Sequence, residues 1–226
     1  MDLELRDRVI LVVGGTGLVG SAVVRRLRAE GATAVVASRR TEDGVVMDAT
    51  DDASVRSAVD RVLDEHGRVD GLVVTAAPAA QTLDPARHAD PAQVLEAFDT
   101  KSLAFLRVAG AVLPVMSAAG FGRIVGVSGQ NAFQTGSIAG SVRNAALIVI
   151  AKNLADAAAG TGVTVNAVSP GIVSEDASSA VERGSSGQCT PEQVADLIAF
   201  LLSPRTASIS GESLAVGHRR RGATGL

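Results

Sequence analysis

Val9-Ile10-Leu11-Val12-Val13-Gly14-Gly15-Thr16-Gly17-Leu18-Val19-Gly20 is the stretch from which the architecture of this chain is read. A continuous apolar run from Val9 to Val13 that ends in glycines predicts a strand covered on both faces. A helical pattern follows from about Gly17 to Glu30, with Val19, Val23, Val24 and Leu27 on one side, and Gly31 ends it as a C′ glycine does. Between the two, the missing side chains at Gly14, Gly17 and Gly20 permit a tight turn, close approach of a pyrophosphate and tight helix–strand packing. The helix N-terminus, with Thr16 and Leu18 beside it, then turns its free N–H groups and its dipole toward a phosphate. A dinucleotide site is the expectation; the alternative is a glycine turn kept for packing alone.

Outward from this unit the text keeps alternating. Strands are predicted at 34–37, 44–47, 71–75, 124–128, 163–168 and 213–216. Asp51 or Asp52 caps a helix to about His66. Residues 78–91 read as a loop that Asp90-Pro91 closes by starting a helix, which runs to about Ala119 and is interrupted at Pro114. A long apolar helix covers 141–159, residues 174–188 read as a flexible loop rich in Ser, Gly and charge, and Thr190-Pro191 caps a last helix to Leu202. Strands alternating with helices imply a parallel sheet with right-handed crossovers. The fold class is therefore α/β, a doubly wound parallel sheet of Rossmann type. It is expected as a single domain over residues 1–226, with 219–226 a loose tail.

Composition narrows the functions. Of 226 residues 46% are hydrophobic and 20% charged, as in an ordinary globular chain, but only 2% are aromatic and neither Tyr nor Trp occurs. The core must be built from Val, Ala, Leu and Ile, and stacking of bases on aromatic rings is not expected. A net charge of −3 gives no electrostatic case for nucleic acid or an acidic membrane. The basic run Arg219-Arg220-Arg221 is read as a solvated terminus rather than a partner site. The lone Cys189 excludes a disulfide framework, and His66, His88 and His218 lack metal-ligand spacing, so no metal is expected. No apolar run approaches 18 residues without interruption and no signal-peptide pattern precedes the first strand, which sets the cytoplasm as the expected location.

The second strand ends at Ser38, where an acidic residue would hold the ribose hydroxyls of NAD. Arg39 and Arg40 follow, and a guanidinium there can grip a 2′-phosphate bidentately, which favours NADP(H); two solvated loop arginines are the alternative. Asp48 after the third strand is a candidate acceptor for the adenine amino group, or a cap preceding the helix.

Together these segments resemble the short-chain dehydrogenase/reductase superfamily over nearly the whole chain. Residues 12–20 look like the family's glycine motif, in the spacing of its extended branch. Met47-Asp48-Ala49-Thr50-Asp51 is similar to the adenine-side aspartate segment. The most specific match is Gly162-Val163-Thr164-Val165-Asn166-Ala167-Val168-Ser169-Pro170-Gly171-Ile172-Val173, similar to the family's strand-six signature. The resemblance implies that Pro170, Gly171 and Ile172 flank the nicotinamide, and that Ala76, within Val74-Thr75-Ala76-Ala77, takes the place of the family's Asn-Asn-Ala-Gly. It also implies a departure at the active positions. The catalytic Asn falls on Lys101, the catalytic Ser on Gly129 with Ser128 beside it, and Tyr-x-x-x-Lys on Gly140-Ser141-Val142-Arg143-Asn144; a threonine that often clamps the nicotinamide amide falls on Glu175. A chain without tyrosine lacks the family's phenolic acid/base.

Thr75, Lys101, Ser128, Gln130, Asn131, Gln134, Ser141 and Arg143 are then expected near one cleft. Lys101 is the ionisable candidate, because burial lowers an amine's pKa and lets it act as acid or base; a surface lysine on a helix flank is the alternative. Gln130 and Asn131 are candidate amide donors to a carbonyl or enolate, against plain loop hydrogen bonding. Asn144 retains hydrogen-bonding capacity toward ribose hydroxyls. Three functions fit a small-molecule substrate: an atypical NADP(H)-dependent oxidoreductase, a non-redox enzyme such as a cyclase, dehydratase or isomerase, and a catalytically silent NADP- or partner-binding module. The near-continuous apolar run Ala145–Ala151 predicts a second burial surface on its helix, hence a homodimer or homotetramer through the helices around 99–118 and 141–159.

Overall fold

A computed structural model describes residues 1–77 and 82–222. Its nine strands are β1 (Val9–Val13), β2 (Thr33–Ser38), β3 (Val45–Val46), β4 (Gly71–Val74), β5 (Gly122–Val127), β6 (Val163–Pro170), β7 (Ile172–Val173), β8 (Gln188–Cys189) and β9 (Ser213–Val216). Seven form one parallel sheet in the order β3-β2-β1-β4-β5-β6-β9, and β7 pairs with β8 in a small second sheet. The helices are α1 (Leu18–Ala29), α2 (Asp52–His66), α3 (Pro91–Phe98), α4 (Ala104–Ala118), α5 (Ile138–Ala157) and α6 (Pro191–Leu202). The expected doubly wound single domain is what the chain adopts.

The period of two along β1 divides the core. Val9, Leu11 and Val13 face α2, α4 and α5, while Ile10 and Val12 face α1 and α6. The strand order reverses between β1 and β4, where ligands of such sheets bind beyond the carboxyl ends. Register aligns those ends: Val13 pairs with both Ala37 and Val74, and Val74 with Gly126. The residues that follow, Gly14, Ser38 and Thr75, therefore emerge at one level along the rim.

Several boundaries and one helix differ from the sequence reading. Pro114 does not interrupt its helix; it lies inside α4 on an exposed turn, where solvent can satisfy the carbonyl it leaves unbonded. The break instead falls at Asp99–Leu103, one wide turn of π-helix between α3 and α4. Residues 174–188 are not wholly loop, since Gln188 begins β8 and Cys189 is a buried core side chain. The basic run is tied down rather than loose: Arg221 exchanges backbone hydrogen bonds with Gly184 and Ser185, its guanidinium donates to the Val181 carbonyl, and Arg219 lies over the Phe133 ring. Residues 78–81 of the expected loop and 223–226 of the expected tail lie outside the described residues. Two helical stretches, Pro91–Ala118 and Ile138–Ala157, are apolar and long enough by composition to cross a membrane, but Phe105, Val108, Val112 and Leu147 within them are buried against the sheet.

At the opposite edge from the site, Arg123 closes the amino ends of β5 and β6. Its buried guanidinium donates to the carbonyls of Gly122 (2.8 Å), Gly162 (3.0 Å), Ser203 (3.1 Å) and Pro204 (3.3 Å) and stacks on the Phe121 ring. Removing the donor strands the buried carbonyls of Gly122 and Ser203 at once. Arg123→Met should cost about 3 kcal/mol or more of unfolding free energy in urea, because each abandoned buried acceptor keeps its desolvation penalty.

Candidate functional site

Two adjoining clefts open at the carboxyl ends of the strands. The first, of about 860 Å³, is lined by Gly14, Thr16, Gly17, Ser38, Arg39, Arg40, Asp48, Thr75 and Ala76, with Thr50 and Thr100 among others. The second, of about 580 Å³, is lined by Leu18, Val19, Gly20, Lys101, Ser128, Gly129, Gln130, Asn131, Gln134, Arg143, Asn144, Pro170, Gly171 and Ile172, with Val173, Ser185 and Ser186 from the following segment. Gly17, Thr75 and Ala77 belong to both, so the clefts meet across the glycine turn. Every candidate cofactor residue of the sequence reading lines one cleft or the other. Ser141 does not line the second: its hydroxyl donates to the Gln134 carbonyl. Glu175 lines neither and is exposed.

The turn between β1 and α1 is shaped for a pyrophosphate. Gly14 has φ +84°, and a Cβ there would stand 2.7 Å from the Ala76 nitrogen. A Cβ at Gly20 would stand 2.1 Å from the Gly14 carbonyl oxygen, so α1 rests directly on the end of β1. Gly17 caps α1 with no side-chain hydrogen bond, which leaves the first-turn N–H groups to a ligand. Asp48 Oδ1 accepts from both the N–H and the hydroxyl of Thr50, and the Thr50 hydroxyl is the main influence holding its pKa down. The helix cap itself is Asp51, which accepts from the Ser54 N–H.

The second cleft is organised by the π-turn. At Asp99–Leu103 the helix widens by one turn, and Lys101 and Ser102 on it are both buried. Lys101 Nζ donates to the Ser128 carbonyl at 2.9 Å, and the Ser102 hydroxyl donates to the Arg143 carbonyl. Burial first, and then the positive charge of Arg143, bring the Lys101 ammonium down from its ordinary value to about 7. The surface-lysine alternative does not hold, since only 8% of Lys101 is exposed. Burial also lowers Arg143. The Ser128 hydroxyl is committed to the Asn144 carbonyl at 2.9 Å. Gln130 is buried, with its amide nitrogen reaching the carbonyls of Val216 and His218, whereas Asn131 is exposed at the cleft mouth.

Two buried acceptors, Gln130 Oε1 and Asn144 Oδ1, have no hydrogen-bond partner among the described residues. Both residues line the second cleft, where hydroxyl or amide donors of a bound dinucleotide would satisfy them. The glycine cradle, the uncapped helix and these acceptors fit a nicotinamide dinucleotide. Sequence reasoning missed Thr50, Thr100, Ser185 and Ser186 as lining residues. The polar run Asp99-Thr100-Lys101-Ser102 inside apolar helical text was the one available signal of the turn.

The family model described as enoyl-(acyl carrier protein) reductase matches residues 14–218. A putative ketoacyl reductase of monensin polyketide synthesis from Streptomyces virginiae is 30% identical, over 93% of this chain and 95% of that protein. An acetoacetyl-CoA reductase from Synechocystis is also 30% identical, over 96% and 97%. In fold, the ligand-free aldohexose dehydrogenase of Thermoplasma acidophilum superposes with a TM-score of 0.83 over the full length of both chains, at 20% identity. With the family model matching residues 14–218 and relatives 30% identical over nearly the whole chain, the chain belongs to the short-chain dehydrogenase/reductase superfamily, a family of oxidoreductases.

Proposed function

We propose that this chain is an atypical NADP(H)-dependent oxidoreductase acting on a small carbonyl or alcohol, with Lys101 as its proton carrier. The observation that carries the reading is the Lys101 ammonium, buried in the second cleft, held by the Ser128 carbonyl and poised near neutrality. A general acid works best with a pKa near the operating pH, and an amine at about 7 supplies what the absent tyrosine would otherwise supply.

NADP(H), when bound, supplies or accepts the hydride. The residues of the chain do the rest. The first turn of α1 would donate to the pyrophosphate, Arg39 and Arg40 would take the 2′-phosphate, Asp48 would serve the adenine, and Asn144 would accept from the ribose. Ala76, Pro170, Gly171 and Ile172 would wall the nicotinamide. The Asn131 amide at the cleft mouth donates to the substrate oxygen, to which Lys101 Nζ gives its proton, while Gln130 Oε1 offers only an acceptor. In the reverse direction the neutral amine takes that proton back. No metal enters this scheme.

The same reading includes a homo-oligomer. Leu95 of α3 and Ile138, Val142 and Val149 of α5 are exposed, with Val149 59% accessible, although the inner face of α5 is already buried. A second copy packed on this stripe removes it from water, and two-fold symmetry makes the patch self-complementary.

The reading is tested by titrating the purified protein with NADPH and NADH and following nicotinamide absorbance with acetoacetyl-CoA and other small carbonyls. Absence of NADPH binding overturns it; binding without hydride transfer to any carbonyl favours the silent or non-redox alternatives. Arg39→Ala should weaken NADPH by about ten- to hundredfold, the value of a charge-assisted hydrogen bond, and leave NADH unchanged.

For Lys101, the protonated form that donates is present below its pKa. Reductive kcat/KM should therefore fall as pH rises through about 7, and alcohol oxidation should rise through the same range. Arg143→Met, by removing the neighbouring positive charge, should move that limb to higher pH, and Lys101→Met should cost about 10²–10⁴-fold in turnover with NADPH binding retained. A profile flat across this range would exclude the amine.

On assembly, light scattering at micromolar concentration should report a dimer or tetramer that Val149→Arg dissociates. A monodisperse wild-type monomer would remove this part of the proposal.

A further inference from the structure

The chain has two lysines, and their surroundings differ. Lys152 of α5 is exposed and ion-paired with Asp156, one turn away. Lys101 is buried on the wall of the second cleft. Its hydrogen-bond partner among the described residues is one backbone oxygen, the Ser128 carbonyl at 2.9 Å. The described residues lining the cleft include no Asp or Glu, and the nearest acid in sequence, Asp99, is engaged by Arg107 at 2.7 Å.

This company suits an amine better than an ammonium. An ammonium brings three N–H donors and a full charge, and the described walls give it one acceptor and no carboxylate. Burial and the neighbouring Arg143 charge act in the same sense, bringing the group down to about 7, so much of it is neutral near pH 7. The neutral nitrogen donates one N–H to Ser128 and keeps its lone pair. A desolvated lysine beside another cation is the setting in which an amine attacks carbonyl carbon.

We propose that Lys101 is a nucleophile: its Nζ condenses with the carbonyl group of a small aldehyde or ketone in the second cleft and holds it as an imine. The nitrogen lone pair forms the C–N bond while the carbonyl π pair moves to oxygen. One amine proton passes to that oxygen, giving a neutral carbinolamine. The C–O bond then breaks, the second amine proton leaves with the oxygen as water, and the C=N bond forms. No oxidant, reductant or nucleotide is consumed. On taking a proton from water the imine becomes a cation with a single N–H, and the Ser128 carbonyl is the acceptor already in place. This activity goes beyond hydride transfer and does not rest on it. Proton delivery uses the ammonium form of Lys101, and condensation uses the neutral form.

The test incubates the whole protein, without nucleotide, with acetone, reduces it with borohydride and maps the peptides by mass. An isopropyl group should appear on Lys101. Its labelling should run about tenfold or more ahead of Lys152, because an ordinary lysine presents about a thousandfold less neutral amine at pH 7 than one titrating there. The rate should climb as pH rises through about 7 and level off above it, since the neutral form reacts. Lys101→Arg, which keeps a cation in the cleft but has no condensing amine, should lose the label. The wild-type map alone separates Lys101 from Lys152, so the inference remains testable if that variant does not fold. An unlabelled Lys101, equal labelling of the two lysines, a rate flat across this pH range or an undiminished total label in Lys101→Arg would each overturn it. NADPH and hydride transfer play no part in the labelling, so its failure leaves the oxidoreductase reading standing, and failure of NADPH to bind leaves the imine standing.

Discussion

The contact on which the site depends is the one between Gly20 and the Gly14 carbonyl, where a single added carbon would lie 2.1 Å from the oxygen. It seats the first turn of α1 directly on the end of β1 and aims its unsatisfied N–H groups along the rim of the sheet. Because the strand order reverses between β1 and β4, that direction runs between the loops after these two strands, and both clefts share Gly17 and Thr75 there. A bulkier residue at either glycine would lift the helix and lose the cradle, whatever happened to the rest of the lining. The two clefts are thus two sides of one packing decision made within seven residues.

That decision was legible because it is local. Val9–Val13 is apolar on both faces and ends in glycine, and the parallel sheet, the helices and the capping residues Asp51, Asp90 and Thr190 follow rules that a single segment obeys. Arg39, Arg40 and Asp48 were found for the same reason, being fixed by distance from strand ends. The wide turn at Asp99–Leu103 was not legible, because a π-turn is selected by what its side chains meet across the fold. Lys101 reaches the Ser128 carbonyl and Ser102 reaches the Arg143 carbonyl, partners 27 and 41 positions away. Pro114 misled in the opposite sense. It marks a break only where the lost hydrogen bond cannot be replaced, and its turn of α4 faces solvent. Composition alone also cannot reveal that Arg219 and Arg221 reach the carbonyls of Ser213 and Val181.

The wide turn carries Lys101 with its ammonium buried, where the Ser128 carbonyl accepts from it and the charge of Arg143 opposes it. A neutral side chain there would be tolerated more cheaply, since burial of an ammonium beside a guanidinium is opposed by both desolvation and repulsion. Such an arrangement weakens the fold unless something recovers the cost, and strongly perturbed ionisable groups in a cleft are characteristic of functional sites. Two acceptors on the same walls, Gln130 Oε1 and Asn144 Oδ1, have no partner among the described residues and call for donors. In a cleft of about 580 Å³ a ligand that brings hydroxyl or amide hydrogens would meet that requirement.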